Sequence, residues 1–382
     1  MFKFDFDIDD ADDSEDFLSL GIETINLQDT LAQEKASLQL EPFSEISFNQ
    51  LLYGVPDQIS YSPLFIPLSS TRKSTCLLRR DLFDARFQLI SEGAGDAVEA
   101  ESNPFDSITS RKALEFLDAP SDLVPGIYEG GLKTWECSLD LVDYLDSLEE
   151  TSELESFYGK RILEIGCGTG VPSMYIFREL LSFAKCGDQD KLPAETVIHL
   201  QDYNTSVLQL VTLPNMLLTW YTSTHADAYR TAMNDDDMAP TIQPINAGEL
   251  PITPEFKTAF LKTLESLNIT LRFFVGSWDT FSPLPTSADP VKANKYDIIL
   301  TSETIYRKES LRPLIDLMRR ACLGPGEKEA SYLCLVAAKV LYFGVGGGVS
   351  DFLQAVEGEK ATVDTVLERT AGVGRKIMRI RW

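Results

Sequence analysis

A short apolar strand that runs directly into a glycine-rich turn constrains the fold of this chain more than any other feature. The segment reads Ile162-Leu163-Glu164-Ile165-Gly166-Cys167-Gly168-Thr169-Gly170. Glycines let a ligand approach backbone that a side chain would block, and the following helix offers backbone N–H groups to that ligand. Dinucleotide-binding turns read G-x-G-x-x-G, whereas these glycines follow G-x-G-x-G. The turn therefore predicts a ligand site and disfavours NAD; the alternative is a purely structural turn.

Two carboxylates sharpen the prediction of the ligand. Glu164 lies just before the first glycine, where a carboxylate is poorly placed for a pyrophosphate but suits a ligand with an amino group and a sulfonium. Asp202 ends the next predicted strand, where it can accept both hydroxyls of a ribose. It lies well beyond the ~20 residues expected in the dinucleotide fold. The pair favours a sulfonium methyl donor.

Strand and helix patterns alternate after Gly131. Apolar residues recur at helical spacing between 135 and 145, which predicts a helix with one buried face. Strands that alternate with helices indicate a parallel sheet with crossover connections. Residues 221–268 are a polar insertion with one predicted helix near 256–267. The predicted strands are 161–165, 196–200, 271–275, 296–300, 333–338 and 375–381, with further helices over 171–185 and from 204 onward.

Composition divides the 382 residues into three predicted parts. Residues 1–45 are dominated by acidic side chains and contain too little apolar surface to offset chain entropy, so we predict a disordered tail. Residues 46–125 form a mixed N-terminal extension. Residues 126–382 form the domain that carries the glycine turn.

The chain is strongly acidic, with 59 acidic against 34 basic residues and a formal net charge of -25. Direct binding to nucleic acid usually needs a basic surface, so we expect no nucleic-acid partner. A basic protein is a better partner, because opposite charges accelerate encounter. The alternative is that the charge only keeps the protein soluble. We expect a monomer.

Histidine and cysteine are too scarce or too scattered for several classes of site. The chain has two histidines and six cysteines without a CxxC pair. This argues against a metal site and a disulfide framework, and favours a reducing compartment, the cytosol or the nucleus. No secretory signal is evident, and the most apolar stretch, 207–220, is interrupted by Pro214 and is shorter than a membrane span. We therefore expect no membrane partner.

The glycine turn resembles the cofactor motif of seven-strand, S-adenosylmethionine-dependent methyltransferases. Gly276-Ser277-Trp278 follows the third predicted strand, where such enzymes cover the adenine ring, although Trp278 alone could be a core residue. Ser302-Glu303-Thr304-Ile305-Tyr306 resembles an acid-x-x-aromatic motif of members that modify lysine or histidine in proteins. The resemblance implies a Rossmann-like α/β fold with a seven-strand sheet and helices on both faces.

A longer set of motifs resembles the protein-histidine N-methyltransferase family known as methyltransferase-like protein eighteen, and the chain looks like a fungal member. The likeness covers about residues 126–382. Its motifs lie at 127–137, 201–204, 207–208, 211–215, 276–278, 302–306, 338–339 and 342–347. It implies that the cofactor is S-adenosylmethionine, whose product is S-adenosylhomocysteine. The methionine part is then crossed by Lys133, Thr134, Trp135, Glu136 and Cys137, and the turn contributes Glu164, Gly166, Gly168 and Gly170. The ribose is bound by Gln201, Asp202 and Tyr203, the adenine is flanked by Gly276, Ser277 and Trp278, and Ser302 closes the pocket.

The resemblance also implies a substrate, the distal (tele) ring nitrogen of a histidine in the third protein of the large ribosomal subunit, with effects on ribosome assembly and translation. Histidine, with a pKa of about 6.5, is mostly neutral at physiological pH and needs the correct tautomer rather than a strong base. We predict that Glu303 accepts the N–H of the other ring nitrogen and that Tyr306 supplies an aromatic wall. Lys339 or Tyr342 is predicted to frame the access. The alternative for Glu303 is an N-cap of the helix that follows.

Three other functions compete with this hypothesis. A lysine methyltransferase would share the acid-x-x-aromatic motif. A catalytically silent chaperone would use the acidic surface to shield a basic ribosomal protein. An NAD-dependent oxidoreductase is disfavoured by the glycine spacing.

Overall fold

The computed structural model describes residues 42–91, 123–124, 128–154, 156–183, 194–232, 246–281, 295–323, 331–342 and 347–382. They belong to one compact unit that spans Leu40–Trp382. Of the predicted disordered tail, residues 1–45, the first 41 residues lie outside the described part of the chain. Because Ser44–Ile46 forms a strand, the predicted end of that tail lies too far along the chain.

Eight of the described strands form the main sheet. Their order is β1-β9-β7-β6-β10-β11-β13-β12. Strands β9, β7, β6, β10 and β11 are neighbours in this order and run parallel. Strand β1 is antiparallel to β9, β13 is antiparallel to β11, and β12 is antiparallel to β13. The strands are β1 (Ser44–Ile46), β2 (Gln58–Pro67), β3 (Ser74–Arg80), β4 (Leu123–Val124), β5 (Tyr128–Glu129), β6 (Arg161–Ile165), β7 (Thr196–Asp202), β8 (Gly248–Pro251), β9 (Ile269–Val275), β10 (Ile298–Ser302), β11 (Leu333–Lys339), β12 (Thr362–Arg369) and β13 (Arg375–Arg381).

The parallel strands are buried on both faces because helices cover the sheet on each side. Every residue of β7 is buried, as expected for a strand in the middle of a parallel sheet. Side chains of α3, α4, α6 and α8 pack on one face, and those of α9 and α10 pack on the other. The helices are α1 (Phe48–Tyr53), α2 (Leu82–Ser91), α3 (Glu136–Glu150), α4 (Val171–Phe183), α5 (Thr205–Val207), α6 (Leu213–Tyr221), α7 (Asp227–Ala232), α8 (Pro254–Ser266), α9 (Lys308–Cys322) and α10 (Val349–Gly358).

This architecture confirms the predicted fold class, a Rossmann-like sheet with helices on both faces. Strand β1 is an addition to the predicted seven strands, since it pairs with the edge of β9. The bounds predicted for β6 and β13 agree with the structure. The predicted helix 171–185 is present over Val171–Phe183, and its last two residues lie outside the described residues. Within the described residues, no helix combines the length and the apolar composition that crossing a membrane requires.

A second, three-stranded sheet joins the N-terminal extension to the polar insertion. Its order is β3-β2-β8, and β8 belongs to residues 221–268. The insertion was predicted as a loop with one helix. The helix is present as α8, but the prediction of an otherwise irregular segment is wrong because β8 and α7 also form there.

Candidate active site

The carboxyl ends of β6, β7, β9 and β10 meet at one edge of the sheet, which is where ligands bind in open parallel sheets. The glycine turn follows β6 there. Gly166, Gly168 and Gly170 have φ angles of +61°, +51° and +71°, a region that favours glycine. A Cβ atom on Gly166 would lie 2.6 Å from Cγ2 of Thr304. Only glycine fits at this position, because both its backbone conformation and its surroundings exclude a side chain.

Neighbouring elements hold the glycine turn through its backbone. The N–H of Gly168 donates to Oδ2 of Asp202 at 2.9 Å, and the hydroxyl of Thr212 donates to the carbonyl of Gly168 at 2.6 Å. Thr212 ends a π-helical turn, Leu208–Thr212, that joins α5 to α6. Such turns occur frequently at functional sites. The predicted turn is therefore rigidly supported at the end of the sheet.

The side chain of Gln201 joins three strand ends. Its Oε1 accepts hydrogen bonds from the N–H of Gly166 at 3.2 Å and from Nε1 of Trp278 at 2.9 Å. Its Nε2 donates to the carbonyl of Gly276 at 3.0 Å, and the residue is fully buried. Gln201 therefore orients Trp278 and the glycine turn. The role predicted for it beside a ribose stays a prediction.

Asp202 and Tyr203 continue from Gln201 at the end of β7. Asp202 is buried, and its Oδ1 accepts from the N–H of Asn204 at 3.1 Å while Oδ2 accepts from Gly168. The role predicted for Asp202, accepting both hydroxyls of a ribose, stays a prediction. Tyr203 is half-buried, and its carbonyl accepts from the N–H of Gly276 at 3.3 Å.

Glu164 is almost completely buried beneath the turn. Its Oε2 accepts hydrogen bonds from both the backbone N–H, at 3.0 Å, and the hydroxyl of Ser173 in the first turn of α4. Burial raises the pKa of Glu164 to about 8, although the bonds from Ser173 oppose the shift. The side chain thus connects β6 to α4. Direct contact between Glu164 and a cationic ligand stays a prediction.

The segment before α3 lies across the glycine turn. A Cβ atom on Gly168 would lie 3.3 Å from the carbonyl oxygen of Gly131, so the two backbones are nearly in contact. The hydroxyl oxygens of Thr134 and Thr169 lie 3.2 Å apart. Lys133 is half-buried in the same segment. The structure therefore brings the predicted methionine-side segment and the predicted turn together.

Lys339 fixes the other end of this segment. Its Nζ lies 4.4 Å from the ring centroid of Trp135 and 3.0 Å from Oε2 of Glu136. A cation over an indole face is favourable, and the contact orients the Trp135 ring. Cys137, the next residue of α3, is fully buried.

Glu303 follows the last residue of β10, Ser302, and has a φ of +59°. Non-glycine residues in this conformation are uncommon and cluster at functional sites. Its Oε1 accepts from the N–H of Cys137 at 3.4 Å and lies 3.7 Å from Nζ of Lys339. Its Oε2 accepts from the hydroxyl of Tyr342 at 2.6 Å.

The alternative prediction, that Glu303 caps the N-terminus of the helix that follows it, is wrong because Glu303 contacts a different helix. The helix that follows, α9, has Arg307 as its N-cap residue and no side-chain cap. Glu303 instead bonds to a backbone N–H in the first turn of α3, whose own N-cap residue, Trp135, supplies no side-chain bond. The carboxylate therefore stabilises α3 from another strand.

The tyrosine that contacts this carboxylate packs against a second tyrosine. Tyr306 is buried, and its ring packs edge to face against the ring of Tyr342, with the ring centroids 6.3 Å apart. A Cβ atom on Gly347 would lie 2.4 Å from the Tyr306 carbonyl oxygen, so only glycine permits this close approach. Ser302 is half-buried, whereas Ser277 is buried and donates to Asp279 at 3.0 Å. Tyr342, predicted to frame the access, is a partner of Glu303.

Three residues that support the site had no predicted role. The amide of Asn204 donates to the carbonyl of Gly130 at 3.1 Å. The amide of Asn215 donates to the carbonyl of Thr169 at 2.9 Å and accepts from the backbone of Arg80. Thr212 binds Gly168 as described above. The sequence offered one signal for two of these roles, since Thr212 and Asn215 are polar residues within the most apolar stretch of the chain.

The assembled site is suited to a cationic ligand with an aromatic part. Glu164, Asp202 and Glu303 lie around a turn that a ligand can approach closely. Trp135 and Trp278 are half-buried at its sides, and each is held by a polar contact. Among the described residues, no group of three His, Cys, Asp or Glu side chains could hold a metal ion.

Comparisons with known proteins show what this chain is similar to. No family model matches it. Histidine protein methyltransferase 1 from Schizosaccharomyces pombe is 30% identical over 360 residues, which cover 93% of this chain and 88% of that protein. The protein of the same name from Saccharomyces cerevisiae is 36% identical over 279 residues, which cover 72% and 67%. Magnesium protoporphyrin IX methyltransferase from Synechocystis PCC 6803, solved with its cofactor, covers 77% of this chain and 89% of its own at 9% identity, with a TM-score of only 0.32.

Proposed function

This chain belongs to the histidine protein methyltransferase family, and from that membership we propose that it methylates the distal (tele) ring nitrogen of a histidine in the third protein of the large ribosomal subunit. The predicted enzyme class, an S-adenosylmethionine-dependent protein-histidine methyltransferase, is confirmed at the level of the family. When bound, S-adenosylmethionine supplies a methyl group that its sulfonium has already activated. The protein mainly has to align the acceptor nitrogen with that methyl group.

The residues around the glycine turn fit this cofactor. Positive φ angles and crowding at Gly166 keep the turn bare of side chains, so that a ligand can contact its backbone. Trp278 donates a hydrogen bond to Gln201 and lies beside Gly166, which supports the proposal that it covers the adenine ring. The hydroxyl oxygens of Thr134 and Thr169 lie 3.2 Å apart, which supports the proposal that the segment before α3 contacts the amino-acid part of the cofactor. The nearby carboxylates favour a cation.

The observation that carries the proposal for histidine is the fixed carboxylate of Glu303. Its strained backbone, the hydroxyl of Tyr342 and the N–H of Cys137 hold it at the end of β10. A neutral imidazole can donate the N–H of its non-reacting nitrogen to such a carboxylate, which leaves the lone pair of the other nitrogen for attack. The same carboxylate would stabilise the cation that forms. No strong base is needed.

We further propose that the protein partner is basic and is met before or during assembly of the large ribosomal subunit. The net charge of -25 supports this, since it favours encounter with a basic protein. Methylation would then affect ribosome assembly and translation. We propose the cytosol and nucleus as the compartments, a monomer as the working state, and neither nucleic acid nor a membrane as a direct partner.

The test is methylation of ribosomal proteins from cells that lack the gene. Purified chain and labelled S-adenosylmethionine are incubated with these proteins, and hydrolysed products are separated into tele-methylhistidine, pros-methylhistidine and methyllysine. We expect label in tele-methylhistidine of the third large-subunit protein. Methyllysine, or label confined to another protein, would contradict the proposal.

Two glycine variants provide matched controls for this assay. Gly166→Arg should abolish labelling, because its side chain would meet Thr304. Gly358→Arg should retain it, because nothing lies within 4 Å of a Cβ atom on Gly358. If Gly166→Arg kept both its fold and its labelling, the glycine turn would not be the cofactor site.

A further inference from the structure

A cavity of about 450 Å³ lies at the opposite end of the sheet from the glycine turn. Its wall includes Tyr158, which precedes β6, whereas Gly166 follows β6. The turn between β2 and β3 and the carboxyl ends of α3 and α4 complete the wall. The residues that matter for its chemistry are Arg72, Asp146, Glu149, Glu150, Tyr158 and Glu179. None of these has a role in the methyl-transfer site.

Acidic side chains outnumber the cations around this cavity. Nη1 of Arg72 lies 3.0 Å from Oδ1 of Asp146 and 3.2 Å from Oε1 of Glu179. Glu179 has a second ion pair, with Arg178 at 2.6 Å. Within the described part of the chain, neither Glu149 nor Glu150 forms an ion pair. Glu149 shares a hydrogen bond with the Tyr175 hydroxyl, and Glu150 accepts one from the Thr71 N–H. The cavity therefore retains an excess of negative charge.

One buried oxygen in the cavity wall is left over. Asp146 is only 2% exposed, and its Oδ1 is used by Tyr175 and Arg72. Its Oδ2 is buried and has no hydrogen-bond partner among the described residues. Buried acceptors without a partner are rare and costly. Asp146 lies in the wall of the acidic cavity, so a cation bound there would offset its buried charge.

Two helix ends add to the negative potential. Both α3 and α4 end at the cavity, and neither has a basic residue in its last turn. A helix carries partial negative charge at its carboxyl end, so acidic side chains are disfavoured there. Nevertheless Glu149 and Glu150 are the last two residues of α3. A bound cation would offset both effects.

The Tyr175 hydroxyl lies between two carboxyl groups of the cavity wall, and this arrangement also favours binding of a cation. The hydroxyl of Tyr175 lies 2.9 Å from Asp146 and 2.8 Å from Glu149, but a phenol has only one proton to donate. Burial raises the pKa of Glu149 to about 7, with Glu179 and Asp146 adding to the shift and Tyr175 and Arg72 opposing it. A protonated Glu149 satisfies both contacts. An incoming cation would favour its ionised form, and binding should tighten as the pH rises from 6 to 8.

We propose that this cavity binds the guanidinium group of an arginine side chain of a protein partner. A planar guanidinium can donate to Glu149 and Glu150 at the same time, which a single ammonium does less well, and the buried charge of Asp146 adds to the attraction. Tyr158 offers a ring against which it can stack. Thr71, Arg72 and Glu150 are exposed, so the cavity is open to a side chain from outside. The proposal goes beyond the methyl-transfer function and does not depend on which protein is methylated.

The probes are three capped peptides, acetyl-Gly-Xaa-Gly-amide with Xaa as arginine, lysine or neutral citrulline. They are titrated into the full chain and followed by calorimetry at pH 6 and pH 8. We expect saturable binding of the arginine peptide that is several-fold tighter at pH 8. The citrulline peptide should not bind. Equal binding of citrulline, or lysine binding as tightly as arginine, would overturn the proposal.

Variants assign the binding to the cavity. Asp146→Asn removes a buried charge behind the cavity wall and should weaken binding of the arginine peptide several-fold. Glu150→Gln removes the charge of an exposed acceptor and should weaken binding about tenfold. Glu153→Gln removes the same charge just outside the cavity and should leave the affinity unchanged. S-adenosylhomocysteine affinity, measured on the same samples, should stay constant, which separates this cavity from the methyl-transfer site. If Asp146→Asn does not fold, Glu150→Gln decides, and unchanged affinity in it would overturn the proposal.

Discussion

The hydroxyl of Tyr342 donates a 2.6 Å hydrogen bond to Oε2 of Glu303 while accepting one of 3.2 Å from the backbone N–H of Lys339. The bond connects the ends of β10 and β11, two neighbouring parallel strands. Burial, followed by the charge of Glu303, raises the pKa of Tyr342 well above its ordinary value. The phenol therefore keeps its proton at physiological pH. Glu303 is held by a permanent hydrogen-bond donor rather than by a group that titrates.

We expect Tyr342→Phe to slow methyl transfer about tenfold without changing cofactor affinity. A hydrogen bond to a charged group contributes about 1.5–3 kcal/mol, part of which would be lost as misorientation of Glu303. The ring and its contact with Tyr306 remain. Single-turnover rates and calorimetry with S-adenosylhomocysteine provide the measurement. Tyr332→Phe is the matched control, and a Tyr342→Phe rate equal to that of the control would show that the bond does not matter.

We expect Glu303→Gln to reduce the single-turnover rate by roughly 10- to 100-fold. Glutamine preserves the shape of the side chain and can still accept from Cys137, but it lacks the negative charge that stabilises an imidazolium product. Glu309→Gln, an exposed change on α9, should have no effect. A rate within twofold of the parent in a well-folded Glu303→Gln protein would remove the orienting role.

The sequence predicts the elements of this site better than their connections. The bounds of β6 and β13 follow from local patterns, namely an apolar run before glycines and an alternating final segment. The bond between Glu303 and α3 could not be predicted, because it depends on which strand end faces which helix. Likewise β12 was missed because its side chains are mostly exposed or half-buried, which leaves a weak apolar pattern.

The role of Gln201 illustrates the same limit and leads to a prediction. Gln201→Ala would leave the N–H groups of Gly166 and Trp278 and the carbonyl of Gly276 without their partner. We expect the free energy of unfolding to fall by roughly 2 kcal/mol or more, and cofactor affinity to fall about tenfold as Trp278 loses its orientation. Chemical denaturation and calorimetry test this, with exposed Gln58→Ala as control. Unchanged affinity would show that Trp278 does not cover the cofactor.

Burial of Glu164 predicts a specific pH dependence of stability. Because its pKa is raised from 4.5 to about 8 in the folded state, the folded protein binds more protons than the unfolded chain between these values. This carboxyl therefore makes the free energy of unfolding fall as the pH rises from about 4.5 to 8, by at most about 1.4 kcal/mol per unit. Glu164→Gln should remove this slope while keeping the bonds from Ser173. Chemical denaturation of both proteins at pH 5, 6, 7 and 8 gives the free energy of unfolding at each pH. The same dependence on pH in both proteins would contradict the prediction.

The same carboxyl provides a test of whether Glu164 senses the charge of the cofactor. S-adenosylmethionine carries a sulfonium, whereas S-adenosylhomocysteine does not, so only the former favours the ionised form of a nearby Glu164. Near pH 7 most of the carboxyl is protonated, and binding of the cation should release a proton. Calorimetry in buffers of different ionisation enthalpy measures this release. We expect a larger release with S-adenosylmethionine than with S-adenosylhomocysteine, and no difference in Glu164→Gln. Equal release with both ligands in the parent would mean that Glu164 only connects β6 to α4 and does not interact with the bound sulfur.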